Sequence, residues 1–243
     1  MRSAYREHLD AFAHDLIVLT DAVQDSFVHA STALLDVDVE DAEEALSTVE
    51  YIHDIAQRCE EQAVALLALE SPVARDLRQV VSSIYIVEDL RRMGTLSQHI
   101  ASIARRRHPH SALPEPLRGY FAEQTRLCVD LCSKVRELLV DPNADVALGL
   151  TTDDDAVDDI QKHVLSLLTQ RPWPFSTVEA VDVTLLNRYF ERFGDHCVNV
   201  ATRIVYLTTG MNPEDYLVQR TARSAAQEVD AQIAEIERRF RSS

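Results

Sequence analysis

Glycine is nearly absent from this chain: five residues in 243, at positions 94, 119, 149, 194 and 210. Strand-rich folds turn often and tightly, and they need Gly, Asn or Asp at fixed offsets to do so. Those signals are missing here, and eight prolines supply most of the punctuation. Long helices need few turns, so the sequence predicts an all-α fold. An apolar content of 46% argues against a disordered acidic segment, despite a net charge of −16. The length allows one or two domains, with a core that needs no disulfide or metal staple.

Periodicity places the helices. Leu9, Phe12, Leu16, Leu19, Val23 and Phe27 recur at steps of three and four, which predicts a helix over about 3–35. Asp36-Val37-Asp38 breaks it, and a second helix follows through Ala45, Ile52, Ala63 and Leu67. Ser71-Pro72 reads as an N-cap with proline at the first helical position. A third helix runs from there to the Arg105-Arg106-Arg107 triplet, whose charges suit a helix C-terminus. The second half repeats the scheme over about 116–139, 143–170 and 176–209. Arg171-Pro172-Trp173-Pro174 forms a turn, and Gly210 is a C-cap. The expected organisation is 1–109 as a first three-helix unit, 114–210 as a second, and 213–243 as a helical extension. That extension carries only a thin apolar stripe: Leu217, Ala222, Ala226, Val229, Ile233 and Ile236.

The two halves resemble each other. Arg92-Met93-Gly94 and Arg192-Phe193-Gly194 stand 100 residues apart, and Glu50 to Asp54 can be paired with Asp154 to Asp158 at an offset of 104. The candidate chemistry lies in the second half. Glu191, Asp195 and Asn199 are spaced i, i+4, i+8, so their oxygens share one helical face. Asp154 and Asp158, also i, i+4, could complete a carboxylate-rich cation site from a neighbouring antiparallel helix. Residue types alone leave three uses open: a solvated or ion-paired face involving Arg188 and Arg192, a metal site, or catalysis. His196 abuts the ladder and needs a supporting role before it counts.

Other groups carry less. Cys128 and Cys132 are i, i+4, Cys59 and Cys197 look isolated, and without a CxxC pair all four read as reduced core thiols. The Arg105–Arg107 run reads as a solvated helix end. A charge of −16 argues against duplex nucleic acid as a partner. No apolar run is long enough to span a membrane, and MRSAYREHLD lacks a signal-peptide core, so the expected location is the cytoplasm.

The run from Ala180 to Tyr206, which includes Leu186-Asn187-Arg188-Tyr189-Phe190-Glu191-Arg192-Phe193-Gly194-Asp195-His196, resembles the PhoU family of phosphate-signalling regulators, in particular its actinobacterial branch. So do Met1-Arg2…Tyr5, the Leu66–Arg78 turn and Asp89-Leu90-Arg91-Arg92-Met93-Gly94, together covering roughly residues 1–210. The resemblance implies two tandem three-helix bundles with no enzymatic turnover. It implies a negative regulator of the phosphate-starvation response and of phosphate uptake, acting as an adaptor between a phosphate ABC transporter and the cytosolic region of a sensor histidine kinase. It also implies a homodimer, held at the inner face of the membrane through its partners. The alternative is a carboxylate-bridged helical-bundle metalloenzyme or a metal-storage protein.

Carried over residue by residue, the family's ligand positions fall on Glu191, Asp195, Asn199, Asp154 and Asp158. The first repeat departs, with Arg91, Thr95 and His99 at the ladder positions, although Asp89 is retained. Arginine repels a cation, so Glu50 and Asp54 are expected to pair with Arg91 instead. The expectation is one cation at most (iron, zinc, manganese or magnesium), in the second repeat only, or none.

Overall fold

The computed structural model describes residues 2–170 and 172–241, so Met1, Arg171 of the expected turn, and Ser242-Ser243 of the extension lie outside the described residues. Seven helices follow in order: α1 Arg2–Asp36, α2 Val39–Glu70, α3 Ala74–Arg107, α4 Glu115–Val140, α5 Ala144–Thr169, α6 Thr177–Thr209 and α7 Pro213–Arg241. No strand occurs among the described residues. None of the described helices is long and apolar enough to cross a membrane.

Local chemistry explains the boundaries. Asp38 caps α2 by accepting from the amides of Glu40 and Asp41, and Asn143 caps α5 in the same way. Ser176 and Glu179 form a reciprocal capping box at the start of α6. Gly210, at φ 74°, ends that helix in the left-handed conformation glycine adopts without strain. The Ser71-Pro72 reading is corrected. Ser71 is the left-handed C-cap of α2, because Pro72 has no N–H with which to extend that helix. Helix α3 then starts at Ala74 behind Val73, which offers no side-chain cap.

Helices α1, α2 and α3 pack on one another, as do α4, α5 and α6. The two sets meet where α3 lies along α6 and α1 along α4. One hydrophobic core runs through both, from Phe12 and Leu19 to Val200 and Ile204. Its centre is aromatic: Phe27 of the first set stacks on Phe193 of the second at 4.0 Å between centroids and meets Phe190 edge-on at 5.4 Å. Helix α7 packs on α6 and is tied to α5 near its start, where Tyr216 and Arg220 both reach Asp145 at 3.1 Å. Of its apolar stripe, Leu217 and Ile233 are exposed, while the side chains of Ala226, Val229 and Ile236 lie outside the described ones.

Candidate functional site: a carboxylate cluster between α5 and α6

Helices α5 and α6 pack along much of their length. Their close approach is permitted by Gly194, where an added Cβ would stand 2.3 Å from Asp154 Oδ1. No real contact is that short, so the missing side chain is what lets the Asp154 carboxylate lie against the α6 backbone. That oxygen is buried and has no hydrogen-bond partner; neither has Glu191 Oε2. Burial, then the charges of Asp195, Asp158 and Glu191, push the Asp154 carboxyl up to about 7. Burial and the repulsion of Asp195 likewise raise Glu191, with Arg188 pulling the other way. Arg188 is hydrogen-bonded to Glu191 Oε1, one turn away.

The structure therefore brings four of the five expected residues, Asp154, Asp158, Glu191 and Asp195, into one electrostatic neighbourhood. The fifth, Asn199, is exposed, and its amide nitrogen reaches across to Asp89 of α3 at 3.5 Å. Asp158 also meets Lys162 at 3.4 Å, and Asp153 meets Lys134 at 3.1 Å at the rim. Two buried acceptors without donors, set among like charges, are a chemical demand for either a proton or a cation. The oxygen-only donor set fits a hard cation. Among the described residues, however, no three ligating side chains already converge on one point. A cation would have to draw Asp154 and Glu191 together.

Sequence reasoning missed the surroundings. Asn187, buried one turn before Glu191, accepts from Gln124 of α4 at 3.3 Å and donates to the Gln161 carbonyl of α5 at 3.0 Å. It extends the four-residue ladder by one step, and that spacing was the available signal. Cys197 is not isolated. It lies buried within hydrogen-bonding reach of Cys132 and near Cys128, and burial pushes the Cys197 and Cys128 thiols well above the ordinary range. His196 does have a partner: its Nδ1 lies 2.8 Å from Asp89 Oδ1, tying the ladder helix to α3.

In the first half the corresponding place is apolar. A Cβ on Gly94 would meet the methyls of Ile52 at 3.1 Å, so Ile52 stands where Asp154 stands in the second half. The sequence alignment that set Glu50 and Asp54 opposite Asp154 and Asp158 is therefore off by one half-turn, and both of those acids are exposed. The expected pairing with Arg91 is also corrected. Arg91 takes the Glu88 carboxylate one turn back, which costs less chain ordering than a partner on another helix.

The solved arrangement has known counterparts. The PhoU domain matches twice, over residues 16–104 and 122–204. The chain is 43% identical over 213 residues to "Phosphate-specific transport system accessory protein PhoU homolog 2" of Mycobacterium tuberculosis, covering 88% of this chain and 100% of that protein. It is 42% identical over 215 residues to the PhoU homolog 1 of Mycobacterium leprae, covering 88% and 97%. Its fold is similar to the crystal structure of PhoU from Pseudomonas aeruginosa, with a TM-score of 0.76 at 22% identity over 85% of this chain and 100% of that one. The PhoU of Streptococcus pneumoniae gives 0.75 at 23% identity over 86% and 98%. A tandem, all-helical fold of two related three-helix sets is the class that this architecture defines. The chain belongs to the PhoU family, whose members are regulatory accessory proteins and not enzymes.

Proposed function

We propose that this protein is an accessory regulator of phosphate uptake that restrains the phosphate-starvation response when phosphate is plentiful. In this reading it works in the cytoplasm, as a homodimer, linking a phosphate ABC transporter at the inner face of the membrane to the cytosolic region of a sensor histidine kinase. The observation that carries the reading is the match to the mycobacterial accessory protein over that protein's whole length. The test is a gene deletion in phosphate-rich medium. Starvation genes and phosphate uptake should both rise, and unchanged levels of both sink the proposal. Pull-down of the kinase's cytosolic region tests the partner directly.

The carboxylate cluster supports a second element of the proposal: a single hard cation, held by Asp154, Asp158, Glu191 and Asp195, in the second half only. The buried, partnerless oxygens of Asp154 and Glu191 favour it. Such a cation would neutralise the cluster and couple α5 to α6; the chain's own residues would orient it and exclude water from it. Metal analysis after anaerobic purification should find about one equivalent of iron, manganese, zinc or magnesium. The Asp154→Asn/Glu191→Gln double variant should carry none. Metal-free wild-type protein under those conditions overturns this element and leaves the first intact.

A further inference from the structure

Helix α7 is 29 residues long and lies beyond the second PhoU domain, which ends at residue 204. Past its anchor on Asp145, from Arg220 onward, every α7 residue whose side chain is described is exposed. An isolated helix in water is marginal, and most helices are held by packing an apolar face. Helix α7 has such a face, and among the described residues nothing covers it: Ile233 is half exposed.

The face has a seven-residue period. Ala222, Ala226, Val229, Ile233, Ile236 and Phe240 follow at steps of four, three, four, three and four, the a and d positions of a two-stranded coiled coil. The residue types grow along the helix, with alanine first and phenylalanine last. A partner copy running parallel and in register would set alanine against alanine and phenylalanine against phenylalanine. An antiparallel second copy, centred on residue 231, sets Ala222 against Phe240, Ala226 against Ile236 and Val229 against Ile233. Each layer then joins a smaller side chain to a larger one, which keeps the seam evenly filled.

The flanking charges agree with that direction. In the antiparallel register Arg223 meets the second copy's Glu237 on both sides of the pair; in the parallel one Arg223 faces Val218 and Glu237 faces Gln232. One like-charge contact remains, Asp230 against itself at the centre. Antiparallel helices also carry their bodies at opposite ends, which separates two chains of net charge −16 by more than a screening length. A membrane surface is the poorer occupant, because α7 has six acids against five arginines and no basic face for anionic lipid.

We propose that α7 is a dimerisation helix, pairing antiparallel with α7 of a second copy of this chain along the seam from Ala222 to Phe240. The inference rests on the homodimer reading above and names its surface. The seam is under three heptads and about 28 Å long, so the pairing is reversible, with a Kd of the order of micromolar.

The test is sedimentation equilibrium of the full chain from about 1 to about 100 μM, which straddles that Kd. Wild type should pass from monomer to dimer across the range. Ile233→Glu should weaken the dimer about 100-fold or more, while a dilute sample melts at the wild-type temperature because the core is untouched. Arg223→Glu should weaken it about tenfold through two like-charge contacts, and Arg223→Glu/Glu237→Arg should restore it. Asp230→Asn should tighten it about threefold. A dimer unmoved by Ile233→Glu overturns the inference and leaves the homodimer reading to another surface. A chain that stays monomeric throughout overturns both. A double variant no tighter than Arg223→Glu overturns the antiparallel register and the proposal with it. So does binding to vesicles of anionic lipid, without self-association, that Ile233→Glu abolishes.

Discussion

Gly94 and Gly194 occupy the same level of α3 and α6, yet what presses against them differs in kind. Gly94 receives the methyls of Ile52; Gly194 receives the carboxylate of Asp154. Beside them the charges also invert, for Arg91 stands where the second half has Glu191. The first half thus uses its close helix approach to complete a core, and it leaves an open groove of about 820 Å³ lined by His53, Glu60 and Arg91. The second half uses the same approach to bury two oxygens it does not satisfy. The lesson is that a shared backbone device, a glycine at a helix crossing, fixes spacing and leaves the chemistry to one facing side chain.

The comparison can be broken by exchanging those side chains. Ile52→Asp places an unpartnered acid in a fully apolar contact and should cost about 3–5 kcal/mol in denaturant unfolding. The reciprocal Asp154→Ile should be neutral or stabilising in metal-free protein, since it removes a buried charge that lacks a partner. Equal losses from the two would show that the halves do not differ in the way described. Next in size is Arg107→Ala. It leaves the buried Asp182 with the more exposed Arg106 alone and should cost about 2 kcal/mol. Loss of less than about 0.5 kcal/mol would reduce that pair to an ordinary surface contact.

A separate effect is in pH. The Asp154 carboxyl is raised from 3.8 to about 7 in the folded chain, so the folded state holds its proton more tightly than the unfolded one. Its contribution to stability is fully present below about pH 4 and is lost as pH rises to about 7, beyond which it is flat. Chelator-treated wild-type protein should therefore lose melting temperature across that window more steeply than Asp154→Asn. Parallel curves for the two proteins would remove Asp154 from the account.

Much of the fold was legible because its signals are local. Periodic apolar residues, Asp36-Val37-Asp38 and Gly210 mark elements that a chain can read within one or two turns. Ser71-Pro72 was misread because a proline flanked by capping residues stops one helix as readily as it starts another. The carboxylate ladder on α6 was legible for the same local reason, as spacing on a single helix. What lay beyond reach were side-chain choices made across the fold. Arg106 and Arg107 look like a solvated helix end until Asp182, some 75 residues away, is found between them. Cys197 looks solitary until α4 brings Cys132 to it. The offset between Glu50 and Asp154 failed because the acidic pattern, unlike the Gly94–Ile52 contact, has no steric reason to keep register.

The stacked Phe27 and Phe193 bear on how such a duplicated chain could have arisen. Phe27 belongs to the first helix of one half, and its ring packs against Phe190 and Phe193 of the other. A lone ancestral unit would have exposed that face to water unless a second copy supplied the partner. The present core therefore reads as a former dimer interface taken inside one polypeptide. Cutting the chain near residue 110 should yield two fragments that aggregate singly and regain helical structure only when mixed.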